Sequence, residues 1–168
     1  SIAICPGAEF GPSKRWPTKY YAEVVKHYLL EDWQVFILGS KKDLSVAREI
    51  EDKVSSKDKS FLFNFTGKTS LEDSVDILST CDLVLTNDSG LMHLSAATGI
   101  PTLGLFGPTD DKLYSPTGKN ALFVRTPQSP KELMNIPNFN HRTSSTLMDT
   151  LTVKMVEHKV KDLLLSSR

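Results

Sequence analysis

Six short, uninterrupted apolar runs alternate with amphipathic stretches along this chain, and that alternation constrains its fold more than any other feature. The runs fall at 2–5, 34–38, 61–65, 83–86, 102–106 and 121–124, with helical periodicity at 20–30, 44–54, 71–81 and 91–98. Apolar runs of this length without polar alternation fit strands buried on both faces, and strand–helix alternation implies right-handed crossovers. The expectation is an α/β fold, a Rossmann-like doubly wound parallel sheet of about six strands.

Composition narrows the class of partner. The chain has 168 residues, 39% hydrophobic and 24% charged, enough for one domain with a sizeable core and incompatible with a disordered or fibrous chain. Lys plus Arg (20) balance Asp plus Glu (20), so a surface for nucleic acid or anionic lipid has no compositional support. The expected partner is a small molecule or another protein. Two cysteines, Cys5 and Cys81, suit a reducing compartment. No apolar stretch approaches the ~20 residues of a membrane span, and Ser1 leads straight into a strand, which suggests a fragment or one half of something longer.

Local punctuation agrees with this layout. Thr69-Ser70-Leu71-Glu72 has capping-box spacing before a helix whose apolar face is Leu71, Val75 and Leu78. Gly99 and Pro101 close the next helix. Beyond Thr126 the pattern decays into a long loop with three prolines, "PQSPKELMNIPNFNHRTSSTL", before a final helix at 151–165. No repeat and no internal boundary divides 1–168, which reads as a single domain.

Several tempting motifs fail on spacing. Gly67-Lys68-Thr69 has the end of a P-loop, but the glycine required five residues earlier is Leu62. No G-x-G-x-x-G follows a strand, and Asp88-Ser89-Gly90 lacks the nucleophile elbow of a hydrolase.

The stretch "LTNDSGLMHLSAATGIP" fits better. Ligands of open parallel sheets bind beyond the carboxyl ends of strands, and Asn87-Asp88-Ser89-Gly90 stands there after the fourth run. A helix opening at Ser89 or Gly90 presents free N–H groups and a positive dipole end, which suit phosphate. Gly90 permits close approach. Asp88 is itself an anion, and reads either as the helix cap or as an acceptor for sugar hydroxyls. His93, one turn in, reads either as a core histidine or as part of the site. The first run ends in "CPGAEFGPSKRWP", a loop far longer than the usual two to six residues or so. It brings Lys14 and Arg15 to the same edge, with Trp16 packing under the next helix. A phosphate held by Lys14, the Ser13 hydroxyl and a helix start gains about 1.5–3 kcal/mol from the charged hydrogen bond and about 1 from the dipole. Sums of that size suit a substrate rather than a resident cofactor.

Three segments together, "PGAEFGPSKRWP", "GKTSLEDSVDIL" and "DLVLTNDSGLMHLSAATGIPTLGLFGPTD", resemble the carboxyl-terminal half of the ADP-heptose:lipopolysaccharide heptosyltransferases, glycosyltransferase family 9, nearest the heptosyltransferase II branch. The resemblance covers about residues 2–110, with the motifs in order. It implies a GT-B enzyme in which this chain is the nucleotide-sugar domain and an amino-terminal acceptor domain is absent. It further implies an inverting transfer of heptose from ADP-heptose to the lipopolysaccharide inner core, without metal or cofactor. The setting would be the cytoplasmic side of a Gram-negative inner membrane, with peripheral association open to the full-length protein.

The substrate-binding residues expected are Gly7, Ser13, Lys14, Thr69, Asp88, Ser89, Gly90 and His93. By the resemblance, Lys14 contacts the diphosphate, Asp88 to Gly90 the sugar and phosphate, and the 67–70 loop lies by the nucleotide. Asp43 is the acidic residue available near a ribose. The catalytic base belongs to the absent domain, so no residue of this chain is assigned that role. Two other readings are a GT-B transferase or epimerase half using a UDP-sugar, and a non-catalytic nucleotide-sugar-binding module.

Overall fold

A computed structural model of the chain describes residues 1–55 and 59–167. Its strands are β1 (Ile2–Cys5), β2 (Val35–Ile37), β3 (Leu62–Asn64), β4 (Leu83–Asn87), β5 (Thr102–Phe106) and β6 (Ala121–Arg125). All pair in parallel in the order β3-β2-β1-β4-β5-β6. The chain winds outward from β1 to β3, then returns to β4 and winds the other way. The strand order therefore reverses between β1 and β4, where Ile4 pairs with Leu85 and Cys5 with Thr86.

The helices are α1 (Thr18–Leu30), α2 (Leu44–Asp52), α3 (Leu71–Ser79), α4 (Gly90–Ala97), α5 (Asp111–Tyr114), α6 (Pro130–Met134) and α7 (Val153–Ser166). Side chains alternate across each strand, so one run feeds two cores. Ile2, Ile4, Leu83 and Leu85 join the larger core with Val25, Ile50 and Leu163 from α1, α2 and α7. Ala3, Cys5 and Val84 face the other way, onto Leu78 and Cys81 beside and beyond the end of α3. Both cysteines are free thiols. Burial pushes the pKa of the Cys81 thiol up to about 11 and raises that of Cys5 further still, so both stay protonated at neutral pH. No helix among the described residues is long and apolar enough to cross a membrane.

Trp16 closes the larger core at the foot of the first loop. It is fully buried against Tyr20 and Tyr21, with ring centroids 5.5 and 5.0 Å away. Its indole N–H donates to the Leu151 carbonyl at 2.7 Å, which ties the start of α1 to the segment leading into α7.

Three local expectations change. The capping box of α3 is Ser70 with Asp73, one residue later than Thr69 with Glu72: Ser70 Oγ accepts from the Asp73 N–H at 3.0 Å, and Asp73 accepts from the Ser70 N–H at 2.9 Å. Thr69 is engaged instead with the Ser74 hydroxyl at 2.9 Å. With the helix set this way, Ser74 and Leu78 turn inward while Leu71 is 64% exposed. The stretch expected as an unbroken loop after Thr126 contains α6, capped by Ser129 and Glu132, and further on buries Met148 and Leu151 in the core.

Replacing Trp16 by Ala removes a fully buried indole and its hydrogen bond, and should cost about 3–5 kcal/mol. Urea denaturation followed by the fluorescence of Trp33 measures this; a loss below about 1 kcal/mol would contradict the role given to Trp16.

Candidate functional site

The reversal between β1 and β4 leaves a crevice at the carboxyl edge of the sheet, and one buried side chain organises it. Asn87, last residue of β4, has no exposed surface. Its Oδ1 accepts from the Trp16 N–H at 3.1 Å and from the Tyr21 hydroxyl at 3.0 Å. Its Nδ2 donates to the Pro6 carbonyl at 2.8 Å and the Gly7 carbonyl at 3.3 Å. Both ends of the β1–α1 loop are thus fastened to the strand that carries Asp88.

That fastening brings Lys14 to Asp88. Lys14 Nζ lies 3.0 Å from Asp88 Oδ2, and the two side chains are only 13% and 11% exposed. Lys14 Nζ also sits 4.9 Å from the centroid of the Phe10 ring. The cation therefore rests between a carboxylate and an aromatic face at the rim of a cavity.

Asp88 does not cap α4, so the capping reading of this residue falls. The N-cap is Ser89, in extended conformation and without a side-chain capping bond, so the first N–H groups of α4 are not spent on a side-chain cap. A β-carbon added at Gly90 would meet nothing within 4 Å. Packing does not demand glycine there; the empty space belongs to the cavity. His93 is exposed on the first turn of α4 and lines the cavity, so it is not a core residue.

Two hollows meet at this helix start. The first, about 520 Å³, is walled by Lys14, Asp88, Ser89, Gly90 and His93 on one side of the sequence and by Thr109, Tyr114 and His141 on the other. The second, about 650 Å³, is more apolar: Ala8, Leu38, Leu71, Leu91 and Leu94 line it, with Gly39, Ser40 and Asp43 at the β2 end. Glu9, Ser89, Gly90 and His93 border both.

Three expected site residues have other tasks. Ser13 is fully buried, and its hydroxyl is held by His141 at 3.1 and 3.2 Å, so it cannot reach a phosphate in the cavity. Thr69, bonded to Ser74, borders neither hollow. Gly7 lines the second hollow, but its missing side chain makes room for Asp43: a β-carbon there would lie 2.4–2.5 Å from that carboxylate. Asp43 in turn accepts from the Ser40 N–H and hydroxyl at 2.9 and 2.7 Å and faces Arg15 at 3.7 Å.

Other lining residues were not foreseen. Thr109 stands just past β5, at the edge where ligands of such sheets bind, and its position in "FGPTD" was a usable signal. His141 lies in a stretch without periodicity, and nothing local marked it. Burial, and then the neighbouring Lys14 cation, lower the pKa of His141 below the usual imidazole value, so it is neutral at pH 7.

The chain has relatives. The family model for glycosyltransferase family 9 (heptosyltransferase) matches residues 1–141. Lipooligosaccharide heptosyltransferase 2 of Haemophilus influenzae is 41% identical over 124 residues, 74% of this chain and 36% of that protein. Lipopolysaccharide heptosyltransferase 2 of Escherichia coli is 40% identical over the same shares. The solved structure of E. coli ADP-heptose lps heptosyltransferase II superimposes with a TM-score of 0.83 at 34% identity, over 98% of this chain and 46% of that one. The chain thus spans less than half the length of these relatives.

Asn87→Leu keeps the branching and heavy-atom count of the side chain and removes all four hydrogen bonds around it, leaving buried donors and carbonyls without partners. Chemical denaturation should show a loss of about 3 kcal/mol or more, whereas a loss under about 1 kcal/mol would mean that the loop is held by its other contacts.

Proposed function

The chain belongs to glycosyltransferase family 9, and from that premise we propose that it is the nucleotide-sugar-binding half of an inverting heptosyltransferase. The donor is ADP-heptose and the acceptor is the lipopolysaccharide inner core, bound by an amino-terminal domain outside this chain. The full-length enzyme works at the cytoplasmic face of the inner membrane. The observation that carries this reading is the Lys14–Asp88 pair set against the uncapped start of α4.

In this reading the diphosphate settles at the start of α4, where Lys14 and the Ser89–Gly90 backbone face it. The nucleoside occupies the apolar hollow beside Gly7 and Leu71. The sugar lies in the cavity rimmed by Asp88 and His93. Asp88 and the diphosphate are both anions, and Lys14 between them makes the arrangement tolerable: it neutralises Asp88 before the donor arrives and is shared with the phosphate afterwards.

Transfer breaks the bond between the anomeric carbon and the diphosphate oxygen, and the electron pair leaves with ADP. The acceptor hydroxyl attacks the opposite face of the anomeric carbon, and its proton passes to a carboxylate of the acceptor domain. Charge builds on the departing diphosphate. Lys14 and the helix dipole stand where that charge develops, so they stabilise the transition state more than the bound donor. No metal or cofactor has a role in this scheme, and this chain alone is inactive because it lacks the base.

Calorimetric titration of the chain with ADP, UDP and GDP tests the reading. ADP should bind most tightly, and Lys14→Ala should weaken it about 10- to 100-fold, the equivalent of one charge-assisted hydrogen bond. Equal affinity for the three nucleotides, or ADP binding that survives Lys14→Ala unchanged, overturns it.

A further inference from the structure

The segment after α6 folds back across the β1–α1 loop and delivers a histidine to the cavity. Gly11 allows the approach: its φ is +117°, and a β-carbon there would lie 2.4 Å from the His141 carbonyl oxygen and 2.6 Å from Arg142 Cα. The contact is sealed on both sides. The Leu147 N–H donates to the Ser13 carbonyl at 3.1 Å, and the Thr146 hydroxyl donates to the Arg15 carbonyl at 2.5 Å.

The buried Ser13 hydroxyl then determines the state of the imidazole. Ser13 Oγ lies 3.2 Å from the His141 carbonyl and 3.1 Å from His141 Nδ1. A hydroxyl has one proton, and a carbonyl can only accept. Both contacts are hydrogen bonds at once only if Ser13 donates to the carbonyl and Nδ1–H donates to Ser13 Oγ. In the neutral ring Nε2 is then the bare acceptor, and it has no hydrogen-bond partner among the described residues. Burial and Lys14, by lowering the pKa of the ring, keep it in that neutral form.

A second polar group of the same cavity is also unspent. Thr109 is only 6% exposed, and its hydroxyl is buried without a partner. Lys14, Asp88, Glu9 and Asp110 supply charge to this cavity; His141 and Thr109 supply neutral hydrogen-bonding groups, the chemistry that recognises a polyol.

We propose that His141, through Nε2, and Thr109, through its hydroxyl, bind hydroxyl groups of the sugar carried by the nucleotide, and so set the preference for a sugar nucleotide over the bare nucleotide. This rests on the reading above that the cavity holds the sugar of ADP-heptose. Nucleotide contacts stay with Lys14 and the start of α4.

The test is the ratio of Kd for ADP to Kd for ADP-heptose, measured by calorimetry on this chain. Asparagine places an amide where Nδ1 stands and nothing where Nε2 stands; glutamine does the reverse. His141→Asn should bind ADP within about twofold of the parent yet bind ADP-heptose about 3- to 10-fold more weakly, the worth of one neutral hydrogen bond. His141→Gln should keep most of the sugar-dependent gain. Thr109→Val, which preserves shape, should lose a similar factor for ADP-heptose alone. If His141→Asn matches the parent for both ligands, or weakens both in equal proportion, His141 only positions the loop and the proposal fails while the reading of the site stands. If the parent chain binds neither ligand, that reading fails and takes this proposal with it.

Discussion

Asn87 is the constraint on which the rest of the site depends, because it joins two segments that are distant along the chain and adjacent in the sheet. A parallel sheet leaves each strand end with backbone groups that must find partners once buried. Where the strand order reverses, neighbouring loops diverge and no ladder continues. The Asn87 amide fills that gap, accepting from Trp16 and Tyr21 and donating to Pro6 and Gly7. One side chain with both donor and acceptor character is needed there; a carboxylate would leave half the bonds unmade and an aliphatic chain all of them.

From that fastening the electrostatics follow. The Lys14 ammonium and the Asp88 carboxylate are mostly withdrawn from water, so each would be costly alone. Paired, they form a polarised rim that an anion can enter without uncovering a bare carboxylate. The adjacent start of α4, which makes no side-chain capping bond, adds a positive pole. On the reading proposed above, Lys14 and this helix start meet the diphosphate, beside the neutral hydrogen-bonding groups of Thr109 and His141.

Much of this was legible in the chain. The six apolar runs located the six strands to within about two residues, because continuous burial on both faces leaves little polar alternation to mislead. Lys14, Asp88, Ser89, Gly90 and His93 could be placed at one edge from the strand ends alone, since parallel strands bring their carboxyl ends together. The misses share a physical origin. Ser13 looked like a phosphate ligand, but its burial depends on a segment 128 residues away. Thr69 and Ser70 offer overlapping capping boxes, and the competing Thr69–Ser74 hydrogen bond decided between them.

Periodicity, strand-end position and residue type were enough to determine the doubly wound sheet, the crevice at its carboxyl edge and the residues Lys14, Asp88, Ser89, Gly90 and His93 that line it, because each follows from neighbours along the chain. The strand order, the hydrogen-bonded hub at Asn87 and the arrival of His141 at the cavity were decided only by the tertiary structure. The stretch from 127 to 146 has no apolar period to direct it. Its path is set by contacts between segments distant in sequence: a glycine without a β-carbon at 11, a buried hydroxyl at 13 and a tryptophan N–H reaching Leu151.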